Sequence, residues 1–409
     1  MSPETPLTIL QGVRILSFTQ FLLGPAGVQY LADMGANVIK IEPPGGKLFE
    51  RIWSGCDLFL NGVSAFFLCA HRNQRSLALD LKRAEGQEIA KRLVAGADVL
   101  VQNFRPGVMA RFGLGYEEAA ALNPRLIYVS ASGYGEASQY RDRPGQDLLI
   151  QAMSGLASIS GRAGEPPTAV GAPVVDQHGA ALLAMGVLAA LFDRERTGQG
   201  QKLEVTMLRA ALDLQLETVH YHLNGAKMHK SATSLASMIH PGPYGIYETT
   251  DGYLALSMSP LPVLQEALQL PELAPLATER FNHSAREQIA RILAPVIRTR
   301  TTAAWVGYLL SRGIWAAPVL DYDGVFADPG VRDADVVEEV EDRTAGRLRL
   351  LRFPLEFSSG RAEVWRLPPM PGEHTEEILQ EVGYAAGEIH RLRELGVVEG
   401  GRGQVAGQP

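Results

Sequence analysis

Asp176 is the residue whose neighbours best equip it for covalent chemistry. It follows Pro173-Val174-Val175 and precedes Gln177-His178-Gly179, directly before an apolar run. An aspartate there ordinarily caps a helix, accepting hydrogen bonds from the free N–H groups of the first turn. Those same N–H groups would keep its carboxylate ionised, and an ionised carboxylate in a dry pocket can attack a thioester. The two roles are compatible, although a capping carboxylate has fewer lone pairs to spare. Further candidates lie in loops rich in Gly, Pro and polar residues, at 21–25, 103–107, 133–135 and 141–147. Within 103–107, an amide (Asn103), an aromatic ring (Phe104) and a guanidinium (Arg105) could bracket a purine and a phosphate. An ordinary connecting loop has a similar composition.

Other chemistries find little support. No G-x-G-x-x-G follows the first strand, and there is no Walker sequence and no H-E-x-x-H. The nine histidines are scattered without i,i+4 pairing, and no serine sits in a G-x-S-x-G elbow. Dehydrogenase, kinase, zinc hydrolase and serine esterase readings all lose ground, and no metal site is expected.

The elements that would carry these loops follow from periodicity. Strand-like residues 13–18, a helical pattern over 26–34 stopped by Gly35, and strand-like 37–42 form a βαβ unit. The alternation repeats, with strands expected at 76–80, 98–102 and 126–130 and helices at 84–94 and 116–122. In an open α/β sheet, such loops gather at the carboxyl ends of the strands, where ligands bind. A strong helix is expected over 180–194, then a strand over 201–205. Residues 224–240, rich in Ser, Met and His, read as a linker. A hairpin (245–249 with 253–258) and helices at 261–269, 284–298 and 302–312 follow. Residues 345–357 return to β structure, 373–381 and 386–395 are helical, and 400–409 form a frayed tail.

The whole chain has 409 residues, a net charge of −7 and 46% hydrophobic residues. That length suggests more than one folded unit. No basic field exists to hold a nucleic acid or an anionic membrane, so neither partner is expected. Two cysteines, Cys56 and Cys69, cannot build a disulfide framework, and a cytoplasmic location is expected. The longest apolar run, 180–192, falls short of the roughly twenty residues a bilayer requires and reads as a buried helix. Arginine outnumbers lysine 31 to 7, which adds weight to Lys82.

Seven segments together resemble the family III CoA transferases, a group that includes the α-methylacyl-CoA racemases. They are LQGVRILSFTQFLLGPAGVQYLADMGANVIKIEPPGG (10–46), NQRSLALDLKRAEG (73–86), ADVLVQNFRPGVMARFGLGYE (97–117), LNPRLIYVSASGYG (122–135), PVVDQHGAALLAMGVLAAL (173–191), RTGQGQKLEVTM (196–207) and PPMPGEHTEEIL (368–379). The resemblance spans about residues 8–395 and is loose over 225–345. It implies an α/β fold. A Rossmann-like large domain is built from both chain ends (1–215 and 340–409), with a small central α+β domain (225–330). It also implies an interlocked homodimer.

By position, Asp176 matches the family's catalytic aspartate. CoA contacts carried over by motif are Phe21, Leu22, Leu23, Leu79, Lys82, Asn103, Phe104, Val108 and Arg111, with Lys82 and Arg111 meeting phosphates. The implied substrates are a coenzyme A thioester and a small carboxylate, with no permanently bound cofactor. Departures narrow this reading. Pro43 stands where formyl-CoA transferase has an arginine near the adenine, and Leu22 replaces its active-site glutamine. His240-Pro241-Gly242-Pro243-Tyr244-Gly245 replaces its glycine run. Gln146-Asp147 stands where racemases have a histidine and an acidic residue, and glutamine cannot shuttle a proton at neutral pH.

The leading reading is therefore an acyl-CoA:carboxylate CoA transferase acting on small carboxylates such as dicarboxylates through an aspartyl thioester. Alternatives are intramolecular CoA transfer, giving an acyl-CoA isomerase of mesaconyl-CoA type, α-methylacyl-CoA racemisation, and CoA binding without catalysis. Asp147 and Gln146 are auxiliary site candidates. Arg51 and His240 are weaker candidates for a second carboxylate.

Overall fold

The computed structural model describes residues 5–277 and 283–400, so most of the expected tail at 400–409 lies outside the described residues. Seven strands form one sheet: β1 (Arg14–Phe18), β2 (Asn37–Glu42), β3 (Gln74–Leu79), β4 (Val99–Gln102), β5 (Ile127–Ser132), β6 (Gln201–Thr206) and β7 (Val398–Glu399). Their spatial order is β7-β3-β2-β1-β4-β5-β6. All pairs are parallel except β7 with β3. The order reverses between β1 and β4, so the loops after these two strands diverge and leave a crevice at the carboxyl edge.

The sequence makes this sheet because its strands are short apolar runs covered on both faces. Leu16, Phe18, Ile39, Ile41, Leu77, Leu79 and Leu100 pack on Ile89 and Leu93 of the helix Ala84–Ala95 and on Ile378 and Ile389 near the chain end. Truncating such a side chain to alanine costs about 2–5 kcal/mol. β3 begins two residues earlier than expected, at polar Gln74 and Arg75. Arg75 is buried against the returning C-terminal segment, donating to Glu377 and Glu381 at 2.5 Å each. That long-range pairing hides residues a local pattern would leave in a loop.

Two helices frame the crevice. α1 (Leu23–Asp33) follows β1, ends at Met34, and is stopped by Gly35 at φ +97. A later helix, α3 (Val174–Thr197), is longer than the expected 180–194 at both ends, and α2 (Asp147–Met153) leads toward its start. α3 is long and apolar enough to cross a membrane by length and composition alone, yet Val175, Leu183, Val187 and Leu191 are buried in the protein. α1 and α3 cross closely. A Cβ on Gly27 would lie 3.0 Å from the Ala180 carbonyl, and one on Gly179 would lie 2.5 Å from a Leu23 methyl.

The chain divides into two compact units, one of residues 1–153, 172–214 and 335–409, the other of 154–171 and 215–334. Residues 154–171, inside the expected N-terminal range 1–215, group with the second unit. That unit has a three-stranded antiparallel sheet in the order Ala316–Pro318, Tyr253–Leu256, Gly245–Glu248. Tyr247, Leu254, Leu264, Ile289, Leu293 and Trp305 form its core. The expected hairpin is present, while Ala316–Pro318 was not anticipated, being three residues without a clear alternation. Residues 225–244 form neither helix nor strand, as a linker pattern implies.

Candidate active site

The crevice holds a cavity of about 830 Å³, lined entirely by the first unit. Loops after β1, β4 and β5 build it, together with the starts of α2 and α3. The β1 loop passes through Phe21, whose φ of +61 is left-handed, a conformation costly for a bulky side chain. Asn103 shapes this loop from the β4 side. Its Oδ1 accepts from the Gln20 N–H at 2.9 Å and its Nδ2 donates to the Gln20 carbonyl at 2.7 Å. The β5 loop and the segment before α2 touch at Gly133 and Gly145, where a Cβ on Gly133 would lie 2.7 Å from the Gly145 Cα. Only glycine permits that crossing, which delivers Gln146 and Asp147 to the cavity.

Asp176 lines the cavity in the first turn of α3, whose N-cap position is occupied by Pro173. The expected capping role therefore falls elsewhere. Asp147 performs it from α2, its Oδ2 accepting from the N–H groups of Val175 (2.8 Å) and Asp176 (2.9 Å). Gln151 fixes the other oxygen of Asp147 at 2.5 Å. With the cap supplied by Asp147, the Asp176 carboxyl is left for the cavity, where the Leu23 backbone at the start of α1 favours its charged form. Burial is the main force on its titration, and the Asp147 charge is the next. Together they raise its pKa to about 7 against the influence of the Leu23 backbone, which lowers it. Asp176 is thus a desolvated carboxyl poised to ionise near neutrality, the condition of a usable nucleophile.

The structure gathers nine of the sequence candidates around this one cavity: Phe21, Leu22, Leu23, Asn103, Phe104, Arg105, Gln146, Asp147 and Asp176. Leu79, Lys82, Val108 and Arg111 do not line it. Leu79 is buried in the sheet core, while Lys82 and Arg111 are exposed beside the β3 and β4 edges. Arg51 is committed elsewhere, donating to both Glu42 oxygens at 2.6 and 2.7 Å and to the Pro369 carbonyl at 3.0 Å. His240 lies in the second unit, bonded to Ser237 and stacked on Tyr244.

Sequence reasoning missed one group of lining residues and named the loop of a second without naming its cations. Phe49, Trp53 and Phe66 form an aromatic wall continuous with Phe21, with ring centroids 5.0–5.4 Å apart. Arg141 and Arg143 join Arg105 as the cations of the lining. Their signal was the basic, Pro/Gly-broken loop 141–147 itself. Among the described residues no cluster of His, Cys, Asp and Glu could hold a metal ion.

Comparison with known proteins gives the family. A family model described as CoA-transferase family III matches residues 10–375. The chain is 34% identical to mouse succinyl-CoA:glutarate CoA-transferase, over 95% of this chain and 90% of that one. It is 33% identical to Haloarcula hispanica succinyl-CoA:mesaconate CoA-transferase, over 92% and 97%. It is 31% identical to Escherichia coli formyl-CoA:oxalate CoA-transferase, over 95% and 99%. Among solved structures, a CAIB/BAIF family protein from Brucella suis superposes with a TM-score of 0.77 at 29% identity, over 91% of this chain and 99% of that one. The family expected from the motifs is therefore established, and the chain belongs to CoA-transferase family III.

Proposed function

We propose that this protein is an acyl-CoA:carboxylate CoA transferase that moves CoA between small carboxylic acids through a covalent intermediate on Asp176. The observation that carries the reading is Asp176 itself, a carboxyl desolvated in the cavity, with its helix capped by Asp147 and its pKa raised to about 7.

The steps follow from that carboxylate. Its oxygen attacks the acyl-CoA carbonyl and expels the CoA thiolate, giving a mixed anhydride. The thiolate attacks the aspartyl carbonyl and releases the first carboxylate, so CoA is held as an aspartyl thioester. An incoming carboxylate attacks that thioester and re-forms an anhydride. The thiolate then attacks the acceptor's acyl carbon, leaving the new acyl-CoA and a free Asp176. No proton is consumed, and each exchange is nearly isoenergetic because nucleophile and leaving carboxylate are alike. The protein's part is to keep water from the anhydride and to offer N–H donors to each oxyanion. The start of α1, whose first turn has no side-chain cap, stands beside Asp176 for that purpose.

Dicarboxylates are the favoured substrates. Leu22 and the aromatic wall suit the methylenes of an acyl chain, while Arg105, Arg141 and Arg143 can meet either a distal carboxylate or CoA phosphates. The relatives named for succinyl-CoA, glutarate and mesaconate support the same class. Gln146 at the cavity weighs against two-base racemisation. The protein is also proposed to act as a homodimer. Apolar Met185 and Phe192 on α3 are 61% and 70% exposed, and Leu148 on α2 is 62% exposed, surfaces that a second copy would cover.

The test incubates the protein with succinyl-CoA and, in turn, glutarate, mesaconate, malate and oxalate, separating the thioesters by chromatography. A new acyl-CoA formed with at least one dicarboxylate, and lost in Asp176→Ala, is expected. Absence of transfer to every acceptor, or full transfer in Asp176→Ala, would refute the proposal.

A further inference from the structure

Beneath the β1 loop lies a cluster of charge that the steps above do not use. Lys40 and Glu50 are both completely buried, with Nζ donating to Glu50 Oε1 at 3.2 Å. Each also reaches the loop backbone. Lys40 Nζ donates to the Thr19 carbonyl at 3.0 Å, and Glu50 Oε2 accepts from the Phe21 N–H at 3.4 Å. Around them, Arg51 pairs with Glu42, Ser76 donates to Glu42, and His71 stacks on Phe67. His71 Nδ1 meets the Phe67 carbonyl at 2.9 Å, so Nδ1 carries the hydrogen, and burial holds the ring neutral. The charges balance, two cations against two anions.

A buried ion pair is a costly way to stabilise a fold, because desolvation offsets most of the attraction. This one is attached to the segment of cavity wall that is strained. The Phe21 backbone sits at φ +61, and the two residues before it are pinned by side chains: Thr19 by Lys40, Gln20 by Asn103. Directly after it come Leu22 and Leu23, which line the cavity with Asp176, and the Leu23 backbone favours the charged form of that carboxyl. Released, Phe21 would relax toward negative φ and swing the start of α1 away from the carboxyl.

We infer that Lys40 and Glu50 are positioning residues of the transfer site: their ion pair clamps the Thr19–Phe21 backbone in its left-handed turn and thereby aims the start of α1 at Asp176. The inference rests on the transferase reading above. The clamp touches neither substrate nor Asp176 and acts wholly through the loop.

Removing one charge would strand the other, so the test replaces both. Lys40→Met/Glu50→Leu is an apolar pair of similar volume, an exchange buried ion pairs often tolerate. Lys40→Met/Glu50→Gln keeps an oxygen for the Phe21 N–H. Two readouts are taken on the full chain, hydrogen exchange of the peptide spanning residues 18–24 and steady-state transfer from succinyl-CoA. The apolar pair should speed exchange in that peptide by about tenfold or more without affecting β4 or β5. It should lower kcat about 30- to 100-fold, the scale of a misplacement near 1 Å, with KM for succinyl-CoA within about threefold. The glutamine pair should recover part of both losses. Wild-type exchange in the peptide with the apolar pair, or kcat restored to wild type by it, would overturn the inference. So would an 18–24 segment already unprotected in the wild-type protein, a result that needs no variant to fold. Because exchange is read without catalysis, a wild-type protein that transfers no CoA would refute the transferase reading while the exchange result still judges the clamp.

Discussion

Replacing Asp176 by asparagine should stabilise the ligand-free protein above neutral pH. In the folded chain burial and Asp147 raise the Asp176 pKa from 3.8 to about 7. Between those values the folded state holds a proton that the unfolded chain has released, so stability falls as pH rises. The shift is about three units, and at 1.36 kcal/mol per unit the wild-type protein forfeits about 4 kcal/mol once pH exceeds 7. Asparagine has a similar shape and never ionises, so Asp176→Asn escapes that loss. Urea unfolding of both proteins near pH 4, 5, 6.5 and 8 measures it. The variant's advantage should be under about 1 kcal/mol near pH 4 and grow to about 4 kcal/mol near pH 8, with most of the change below pH 7. An advantage independent of pH, or a less stable variant near pH 8, would refute the claim that Asp176 is held as a desolvated carboxyl.

The same titration governs activity. The acid limb of kcat/KM should rise through about pH 7 as Asp176 ionises, and Asp147→Asn, which removes a raising charge, should move that limb to lower pH; an unmoved limb would show that Asp147 acts only as a cap. Gly133→Ala should lower activity and cost about 1–3 kcal/mol, because its Cβ would lie 2.7 Å from the Gly145 Cα; a Tm equal to wild type would contradict the close crossing. Arg141→Ala and Arg143→Ala should raise KM for dicarboxylate acceptors about tenfold more than for acetate, and equal effects on both acceptors would assign these arginines to CoA instead. Light scattering should give a dimer mass, and a monomer at micromolar concentration would leave the exposed Met185 and Phe192 face without its second copy.

Much of this architecture was legible because local chemistry dictates it. Short Val/Ile/Leu runs alternating with helical periods can close only as a parallel sheet, and Gly35 marks the end of α1 by its positive φ. Asp176 was legible as a carboxylate at a helix start. What remained hidden depends on contacts distant in sequence. Asp147 takes over the cap of α3 from 29 positions away, so no local pattern could separate the capping carboxylate from the nucleophile. Gln74 and Arg75 belong to β3 only because Glu377 and Glu381 return to pair with Arg75. Lys40 reads as an ordinary polar residue in a strand, yet it is completely buried because Glu50 and the Thr19 carbonyl meet its charge.

The claim at the centre of this account is that Asp176 itself carries CoA. Incubating the protein with succinyl-CoA without an acceptor, quenching in acid and mapping peptides by mass spectrometry tests it directly. A CoA-sized adduct on the peptide containing Asp176, removed by hydroxylamine and absent from Asp176→Ala, is the expected result. Continued transfer with no adduct at Asp176, or an adduct on another residue that persists in Asp176→Ala, would contradict it.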